Sequence, residues 1–294
     1  MTFAFLLHPL TARYVDRGTW LTRPLPSFLV NKLILLKKPY KVAEFSVKGL
    51  KGYFIGCLLT SEQMLNLNKD FVLKRIIQTC DEAERLGAKI ISLGAFSAIA
   101  TDQGNELIGK VNINITTGRA YTVAVVYEQI KRVFNKNKKI AIVGANGAIG
   151  KGLIKLLKRD NHQGFIEVNK CNFSEMYKAD LIVSTTNTTK ELLEEKKLRS
   201  NSTIIDVSKP SAIRRNIKRR DITIIEGGLV RLPHDVDIGI NFDCPKNVVF
   251  ACMAEPMILD LEGKYENYSI GENIPLEKIE QILNLGTKWG FSVL

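Results

Sequence analysis

Three evenly spaced glycines follow a short apolar run near the middle of the chain. Gly144, Gly147 and Gly150 come after the Ile- and Val-rich residues 139–143, and apolar side chains then recur at helical spacing over 149–157. A strand, a G-x-x-G-x-x-G turn and a helix in this order can bind a dinucleotide, because glycines permit a tight turn, close approach of a pyrophosphate to the helix N-terminus and close helix packing. A glycine-rich packing turn is the alternative. The expected cofactor contacts in this loop are Gly144, Asn146, Gly147, Ala148, Ile149 and Gly150.

Cys252 is the residue best suited to nucleophilic chemistry. It lies in the run FACMAE at 250–255, near the predicted start of an apolar helix, where backbone N–H groups favour a thiolate. It also follows the predicted dinucleotide-binding segment, where the chain should return to the cleft. A thiolate that faces a nicotinamide can accept an acyl group from a thioester before hydride arrives. A buried core cysteine is the alternative.

The residues after the second strand of the dinucleotide-binding segment indicate which nucleotide binds. That strand, 164–168, is followed by Asn169 and Lys170, with no acid at its tip, and we expect Glu167 to point elsewhere. A cation at this position accommodates the 2′-phosphate of NADP, so Lys170 favours NADPH; a solvated loop lysine is the alternative. The residues expected near the nicotinamide, all of which are also ordinary turn formers, are Thr185, Thr186, Asn187, Gly227 and Gly228.

Strand candidates alternate with helical or linking segments in the second half of the chain, at 164–168, 179–185, 203–207 and 222–226. This alternation predicts an α/β fold with a doubly wound parallel sheet of Rossmann type. Elsewhere the patterns predict a hairpin over 42–58 and helices over 62–87, 248–261 and 276–289. The predicted organisation is an N-terminal α/β substrate domain over 1–134, the dinucleotide-binding domain over 135–246, and C-terminal helices over 247–294 that carry Cys252 and pack back over the cleft.

Composition argues against several classes of protein. The 294 residues suit two domains, 45% of them are apolar, and no apolar run approaches the ~20 residues of a membrane span. The first ten residues do not resemble a signal peptide. Five scattered cysteines without a C-x-x-C pair argue against a disulfide framework and a zinc site. We therefore expect reduced thiols, a cytoplasmic location and no metal.

The net charge of +12 favours an acidic partner or an anionic membrane, although a solvated basic surface explains it equally well. The densest basic cluster, 214–220, could dock an acidic carrier protein or be a solvated helix. The apolar run 28–38 ends in lysines and could rest on a membrane face, or pack on the core with snorkelling lysines. Because no basic strand is rich in aromatic residues, no nucleic-acid partner is expected.

Several of these segments together resemble the cyanobacterial long-chain acyl-(acyl-carrier-protein) reductases, which make fatty aldehydes. The matching blocks follow the order of the family from about residue 3 to the C-terminus: LGAFSAI at 93–99, TTG at 116–118 with Thr122, VGANGAIG at 143–150, EGGLV at 226–230, FACMAE at 250–255 and LEG at 261–263. The resemblance implies a substrate domain, a central NADPH-binding Rossmann domain and C-terminal helices. It also implies reduction of an acyl thioester, carried by acyl-carrier protein or coenzyme A, to an aldehyde.

The resemblance further implies roles for individual residues. Cys252 matches the acylated cysteine of the family, and Lys170 matches its arginine after the second strand. Pro256 stands where the family tends to carry alanine, so we expect it to kink or start the helix just after the thiol. Glu255 or His8 could transfer protons, although Glu255 could pair within its helix and His8 could be structural. The candidates for substrate contacts and oxyanion donors are Phe96, Ser97, Thr116 and Thr117.

Two other functions stay open. A shikimate-dehydrogenase-like NADP oxidoreductase that acts on a small alcohol or ketone would use the same scaffold without needing Cys252. A non-catalytic NADPH-binding sensor or a nucleic-acid-binding protein would bind its ligand without turnover.

Overall fold

The computed structural model describes residues 1–11, 25–134, 138–162, 164–186, 193–208, 211 and 218–294. The chain forms two compact units. Unit 1 consists of Met1–Gly118, His234–Asn247 and Cys252–Gly271, and unit 2 consists of Arg119–Pro233, Val248–Ala251 and Glu272–Leu294. This division differs from the predicted one, because the helix that follows Gly118 packs with unit 2 and the C-terminal segment contributes to both units.

The described part of the first 118 residues contains five strands and four helices. In chain order they are β1 (Thr2–Leu7), α1 (Ser27–Leu36), β2 (Tyr40–Val47), β3 (Leu50–Gly56), α2 (Ser61–Asn66), α3 (Lys69–Arg85), β4 (Ile90–Leu93), α4 (Phe96–Ala100) and β5 (Asn114–Thr116). A 3-10 turn lies between the last two, at Asn105–Leu107.

The rest of the chain continues with α5 (Arg119–Val133), β6 (Ile140–Val143), α6 (Ala148–Arg159), β7 (Phe165–Val168), β8 (Leu181–Ser184), β9 (Thr203–Asp206), β10 (Thr223–Glu226), β11 (Leu229–Arg231), β12 (Val248–Phe250), α7 (Ala251–Leu261), α8 (Leu276–Lys288) and β13 (Ser292–Val293). Two further 3-10 turns lie at Phe173–Lys178 and Glu195–Lys197.

Unit 1 is built on a five-stranded sheet in the order β2-β3-β1-β4-β5. Its strands are parallel except for β2, which forms the predicted hairpin with β3. The predicted helix over 62–87 is two helices, α2 and α3. The chain breaks there because the side chain of Asn68 accepts the N–H of Phe71 at 3.1 Å and so caps a new helix. One face of α3, including Val72, Ile76 and Cys80, is buried in the core of the unit.

Unit 2 contains an all-parallel sheet in the order β10-β9-β8-β6-β7, which confirms the predicted α/β fold with a Rossmann-like parallel sheet. Because β6 lies between β7 and β8, the chain leaves it in one direction and returns on its other side, and the strand order reverses there. Helix α5 packs against α6 and α8 at two glycines. A Cβ at Gly152 would lie 2.8 Å from Val123, and one at Gly286 would lie 2.6 Å from the Tyr121 hydroxyl oxygen.

A small antiparallel sheet in the order β12-β11-β13 completes unit 2. The predicted helix over 248–261 is wrong at its start, because Val248–Phe250 pairs with β11 as a strand and the helix begins only at Ala251. Helix α8 agrees with the helix predicted at 276–289 to within one residue.

Candidate active site

The glycine loop lies at the carboxyl end of β6, beside the end of the neighbouring strand β8. Gly144 has a φ of +87°, and a Cβ there would lie 2.9 Å from the hydroxyl oxygen of Thr185. Thr185 donates its N–H and its hydroxyl to the carbonyl of Val143, each at 2.9 Å. The loop and Thr185 therefore meet where the strand order reverses, the place at which open α/β sheets bind ligands.

Gly147 and Gly150 shape the first turn of α6 in different ways. A Cβ at Gly150 would lie 2.3 Å from the carbonyl oxygen of Gly144, so only glycine lets the helix pack this closely. The nearest atom to a Cβ at Gly147 would be the same oxygen, at 3.3 Å. Gly147 is exposed at the N-cap of α6, and no side chain of the described residues bonds the helix N–H groups there. The first turn of α6 thus fits the pyrophosphate of a dinucleotide.

Lys170 is exposed in the loop after β7, and two asparagines fold that loop. The side chain of Asn172 accepts the N–H of Asn169 at 2.7 Å, and the side chain of Asn169 accepts the N–H of Cys171 at 2.9 Å. Glu167 pairs with Lys158 on α6 at 3.4 Å. The side chains of Asn169 and Asn172 therefore fix the backbone of this loop, and the cationic side chain of Lys170 is exposed at its tip.

Buried polar groups follow β8 and β9, and the sequence analysis missed most of them. The hydroxyl oxygens of Ser184 and Ser208 lie 2.9 Å apart, and the carboxylate of Asp206 accepts the N–H of Ser208 at 3.1 Å. Thr186 lies 3.5 Å from Ser208, hydroxyl to hydroxyl, whereas Asn187 lies outside the described residues. The signal that could have found this cluster is that two adjacent parallel strands both end in polar residues.

Gly227 and Gly228 connect β10 to β11. A Cβ at Gly227 would lie 2.7 Å from the side chain of Val207, and Gly228 has a φ of +75°. The buried side chain of Gln129, which the sequence analysis missed, accepts the N–H of Gly228 at 3.0 Å and donates to the carbonyl of Glu226 at 3.3 Å. Packing within unit 2 accounts for both glycines, and their contact with a nicotinamide stays a prediction.

The backbone of Cys252 packs against the T-T-G loop that follows β5. Gly118 has a φ of +71°, and a Cβ there would lie 2.4 Å from both Cα and Cβ of Cys252. Cys252 is the second residue of α7 and is partly exposed, and none of the five cysteines forms a disulfide. Gly118 therefore allows the loop to approach the backbone that carries this thiol.

Pro256 lies inside α7 and does not start it, because the helix begins at Ala251, before the thiol. Proline has no N–H, so the carbonyl four residues earlier, that of Cys252, loses its helical donor. Ser92 at β4 supplies a replacement: its buried hydroxyl donates to the Cys252 carbonyl oxygen at 3.1 Å. Pro256 thus removes a hydrogen bond within the helix, and Ser92 supplies one that connects Cys252 to the sheet of unit 1.

The carboxyl group of Glu255, one turn after Cys252, is fully buried. One of its oxygens accepts the hydroxyl protons of Thr116 and Ser269, the latter at 2.6 Å. Ser269 has a φ of +55°, and its carbonyl accepts the hydroxyl of Thr117 at 2.5 Å. Glu255 therefore pairs with groups outside its own helix. Ser269 was missed because no local pattern around it indicates a role.

The segment that carries Ser269 runs beside β5. The side chain of Asn267 accepts the N–H of Ile115 at 2.9 Å, and the N–H of Tyr268 donates to the carbonyl of Ile115 at 2.9 Å. Burial and the nearby carboxylates of Glu255 and Glu266 raise the pKa of the Tyr268 phenol. Tyr268 is therefore protonated at neutral pH and packs as a neutral side chain.

The three predicted hydroxyl donors are all bonded to protein oxygens. Ser97 donates to the carbonyl of Gly94 at 2.7 Å, while Thr116 and Thr117 donate to Glu255 and to the Ser269 carbonyl. To bind an oxyanion, each hydroxyl would have to exchange its present acceptor for the substrate. Their role as oxyanion donors stays a prediction, as does a substrate contact at the buried Phe96.

His8 uses both of its ring nitrogens within unit 1. Its Nε2 accepts the N–H of Phe96 at 3.2 Å, so Nδ1 carries the proton and donates to the carbonyl of Pro9 at 3.3 Å. Burial lowers the pKa of His8 from 6.5 to about 4. The ring bonds the start of α4, beside Ala95, whose φ is +38°. This geometry favours the structural interpretation of His8 over proton transfer.

Only part of the basic cluster at 214–220 is described, since residues 212–217 lie outside the described ranges. Within the described part, Arg219 pairs with Asp221 at 2.6 Å and donates to the carbonyl of Leu198 at 2.7 Å. Arg219 therefore stabilises unit 2, while its neighbours Lys218 and Arg220 are exposed.

No group of three or more His, Cys, Asp or Glu side chains in the described ranges could hold a metal ion. Among the helices of the same ranges, none has the length and hydrophobicity needed to span a bilayer.

No family model matches the chain. It is 23% identical to the long-chain acyl-[acyl-carrier-protein] reductase of Synechococcus elongatus over 319 aligned positions, which cover 96% of this chain and 92% of that protein. It is 27% identical over 258 residues to the aminotransferase PigE of Serratia sp., matching 76% of this chain but only 30% of PigE, so it spans less than a third of that protein.

Among solved structures, a D-lactate dehydrogenase with NAD+ from Lactobacillus jensenii is 14% identical, with a TM-score of 0.23 over 71% of each chain. The chain is a distant homologue of the cyanobacterial long-chain acyl-[acyl-carrier-protein] reductase. This homology confirms the resemblance predicted from the ordered sequence blocks.

A first prediction separates the two interpretations of His8. Because the unfolded chain binds a proton at His8 below about pH 6.5 and the folded chain does not until about pH 4, the free energy of unfolding should fall as the pH is lowered through this window. The loss from this group should be about 2 kcal/mol, less than the full shift because the ring is partly exposed. Urea denaturation at several pH values should show that His8→Asn removes this part of the pH dependence. If the variant keeps the pH dependence but loses all enzymatic activity, His8 is a proton-transfer group instead.

A second prediction concerns the bond between Ser92 and Cys252. Ser92→Ala should cost about 1–2 kcal/mol of stability, because it removes the buried hydroxyl that donates to the Cys252 carbonyl. Pro256→Ala restores an N–H four residues after Cys252, so the double variant should recover about 1 kcal/mol of that loss. The same cycle with Ser61→Ala, a buried serine whose hydroxyl oxygen has no hydrogen-bond partner among the described residues, should be additive. Additive effects of Ser92→Ala and Pro256→Ala in urea denaturation would contradict the exchange of donors.

Proposed function

We propose that this protein is a nicotinamide-dependent oxidoreductase that reduces an acyl thioester to an aldehyde through an acyl-enzyme on Cys252. The observation that carries the proposal is the placement of Cys252 at the N-terminal end of α7, between the Gly118 loop and the Ser92 hydroxyl. The distant homology to a reductase over nearly the full length of both chains supports an oxidoreductase. The glycine loop of unit 2 supports a dinucleotide cofactor.

The reaction begins at the sulfur of Cys252. At the start of α7 the backbone N–H groups favour a thiolate, which attacks the carbonyl carbon of the substrate thioester. A bond forms between Sγ and the acyl carbon, the bond to the carrier sulfur breaks, and the carrier leaves as a thiol after taking a proton. When bound, NADPH supplies the hydride that converts the enzyme-bound acyl group to the aldehyde level. Breaking the bond to Sγ then releases aldehyde and restores the cysteine.

The carboxyl group of Glu255 supports this chemistry from within unit 1. It holds Thr116 and Ser269 by hydrogen bonds, and Thr116 in turn accepts the N–H of Gly118 at 3.2 Å. Because Gly118 packs on the backbone of Cys252, this chain of bonds positions the loop next to the thiol. We propose that Glu255 acts first as a positioning group, and that any proton it transfers passes through the hydroxyl of Thr116 or Ser269.

The covalent step can be tested by intact mass measurement. The protein incubated with a long-chain acyl-carrier thioester, without NADPH, should gain the mass of one acyl group, and addition of NADPH should release that group as aldehyde. Cys252→Ala should show no adduct, because it lacks the attacking sulfur. Cys171→Ser, which removes a more exposed cysteine, is the matched control and should be acylated like the unchanged protein.

Two outcomes would overturn the proposal. An unchanged protein that forms no adduct with several acyl lengths on either acyl-carrier protein or coenzyme A does not use covalent chemistry. A Cys252→Ala variant that still oxidises small alcohols with NADP would favour the shikimate-dehydrogenase-like alternative.

The preference for NADPH can be tested at Lys170. Lys170→Asp replaces the exposed cation after β7 with an acid that suits the ribose hydroxyls of NADH. The ratio of the dissociation constants for NADH and NADPH should shift towards NADH by about tenfold, as expected for one partly screened charge. Lys178→Asp is the control, because Lys178 bonds Glu175 at 2.7 Å and lies outside this loop. An unchanged ratio in Lys170→Asp, measured by isothermal titration, would remove Lys170 from the cofactor site.

A further inference from the structure

The outer face of α1 is an exposed stripe of leucines. Leu29, Leu33 and Leu36 recur at helical spacing, and their exposed fractions are 37%, 46% and 80%. The opposite face of the helix carries Val30 and Ile34, which are buried against Leu25 and Leu58. The helix therefore has two apolar faces, and burial in the core of unit 1 accounts for only one of them.

Hydrogen bonds from neighbouring helices fix the orientation of this leucine stripe. The guanidinium group of Arg75 on α3 donates to the carbonyl of Leu35 at 2.8 Å and to that of Lys37. The side chain of Gln63 on α2 donates to the carbonyl of Asn31 at 2.9 Å. These bonds hold the backbone of α1 from its inner side, so the leucines face outward as a consequence of the packed fold.

The charged residues next to the leucine stripe in the sequence are positive. Residues 25–43 contain four lysines and no acidic residue, and the last of these lysines, Lys41, pairs with Glu44 at 2.8 Å. At 100° per residue, Lys32 falls beside the stripe, and Lys37 and Lys38 follow the end of the helix; all three are exposed. Apolar side chains flanked by lysines are the arrangement of a helix that lies in the interface of an anionic membrane.

We propose that the leucine stripe of α1, with Lys32, Lys37 and Lys38, docks this protein on the surface of a bilayer that contains anionic phospholipids. The ten residues of α1 are too few to cross a bilayer but sufficient to lie in its interface. An acidic protein is the competing partner. The stripe favours lipid because it is purely aliphatic and contains no aromatic or polar group that would select a particular protein surface. This inference does not depend on the proposed enzymatic activity.

The test is sedimentation of the full chain with vesicles of phosphatidylcholine alone and of phosphatidylcholine mixed with phosphatidylglycerol. The unchanged protein should bind the mixed vesicles, and more weakly as salt rises. Leu33→Ser with Leu36→Ser should weaken this binding by at least about tenfold, because two exposed apolar side chains are lost. Lys37→Gln with Lys38→Gln should weaken it by about thirtyfold. Leu65→Ser with Ile108→Ser, which removes two leucine-sized side chains exposed elsewhere in unit 1, is the control and should bind normally.

Three results would overturn the proposal. The unchanged protein could fail to bind mixed vesicles. The control pair could weaken binding as much as the leucine-stripe pair, with thermal melting showing all variants folded. The leucine-stripe pair could instead weaken binding to an acidic acyl-carrier protein while vesicle binding is unchanged, which would make the stripe a protein-docking surface.

Discussion

Burying the carboxyl group of Glu255 is costly unless hydrogen-bond donors replace the water it loses. The hydroxyls of Thr116 and Ser269 are two such donors, and they come from segments that are far apart in the sequence. Both can reach one oxygen only when the end of β5, the segment at 267–269 and α7 are held in a single arrangement. The same arrangement brings Gly118 against Cys252. The position of the thiol backbone thus depends on satisfying a buried acid one turn away.

Much of the fold could be predicted, because the central parallel strands of its sheets are buried on both faces and consist of short apolar runs. The strands β6 and β8 were found in this way, with the turn that follows each of them. The errors occurred where a single tertiary contact decides the structure. Asn68 caps α3 and interrupts an otherwise continuous helical pattern. Residues 248–250 form a strand because β11 is available to pair with them. Neither effect can be detected from periodicity alone.

The parts of the candidate site that depend on contacts between residues close in the sequence could be predicted, and those that depend on distant contacts could not. The glycine loop could be recognised because its three glycines lie within seven residues, and the backbone of Gly144 and the close packing at Gly150 each require a glycine. The role of Ser92 could not, because its acceptor lies 160 residues later in the chain. Pro256 was the available signal, since a proline inside a helix leaves one carbonyl in need of another donor. For His8, residue type alone gave no indication that both ring nitrogens are bonded and that its pKa is lowered.

Ser269 combines two demands that few amino acids meet together. Its φ of +55° favours glycine, whereas its hydroxyl is needed by the carboxyl group of Glu255. Glycine would relieve the backbone but remove the donor, and threonine would keep the donor at the cost of a β-branched residue in a left-handed conformation. The backbone conformation and the hydrogen bond to Glu255 therefore both restrict which residues can replace Ser269. A lineage that lost the serine would leave the acid with one hydroxyl donor fewer, so a change at Ser269 should be accompanied by a compensating change close to Glu255.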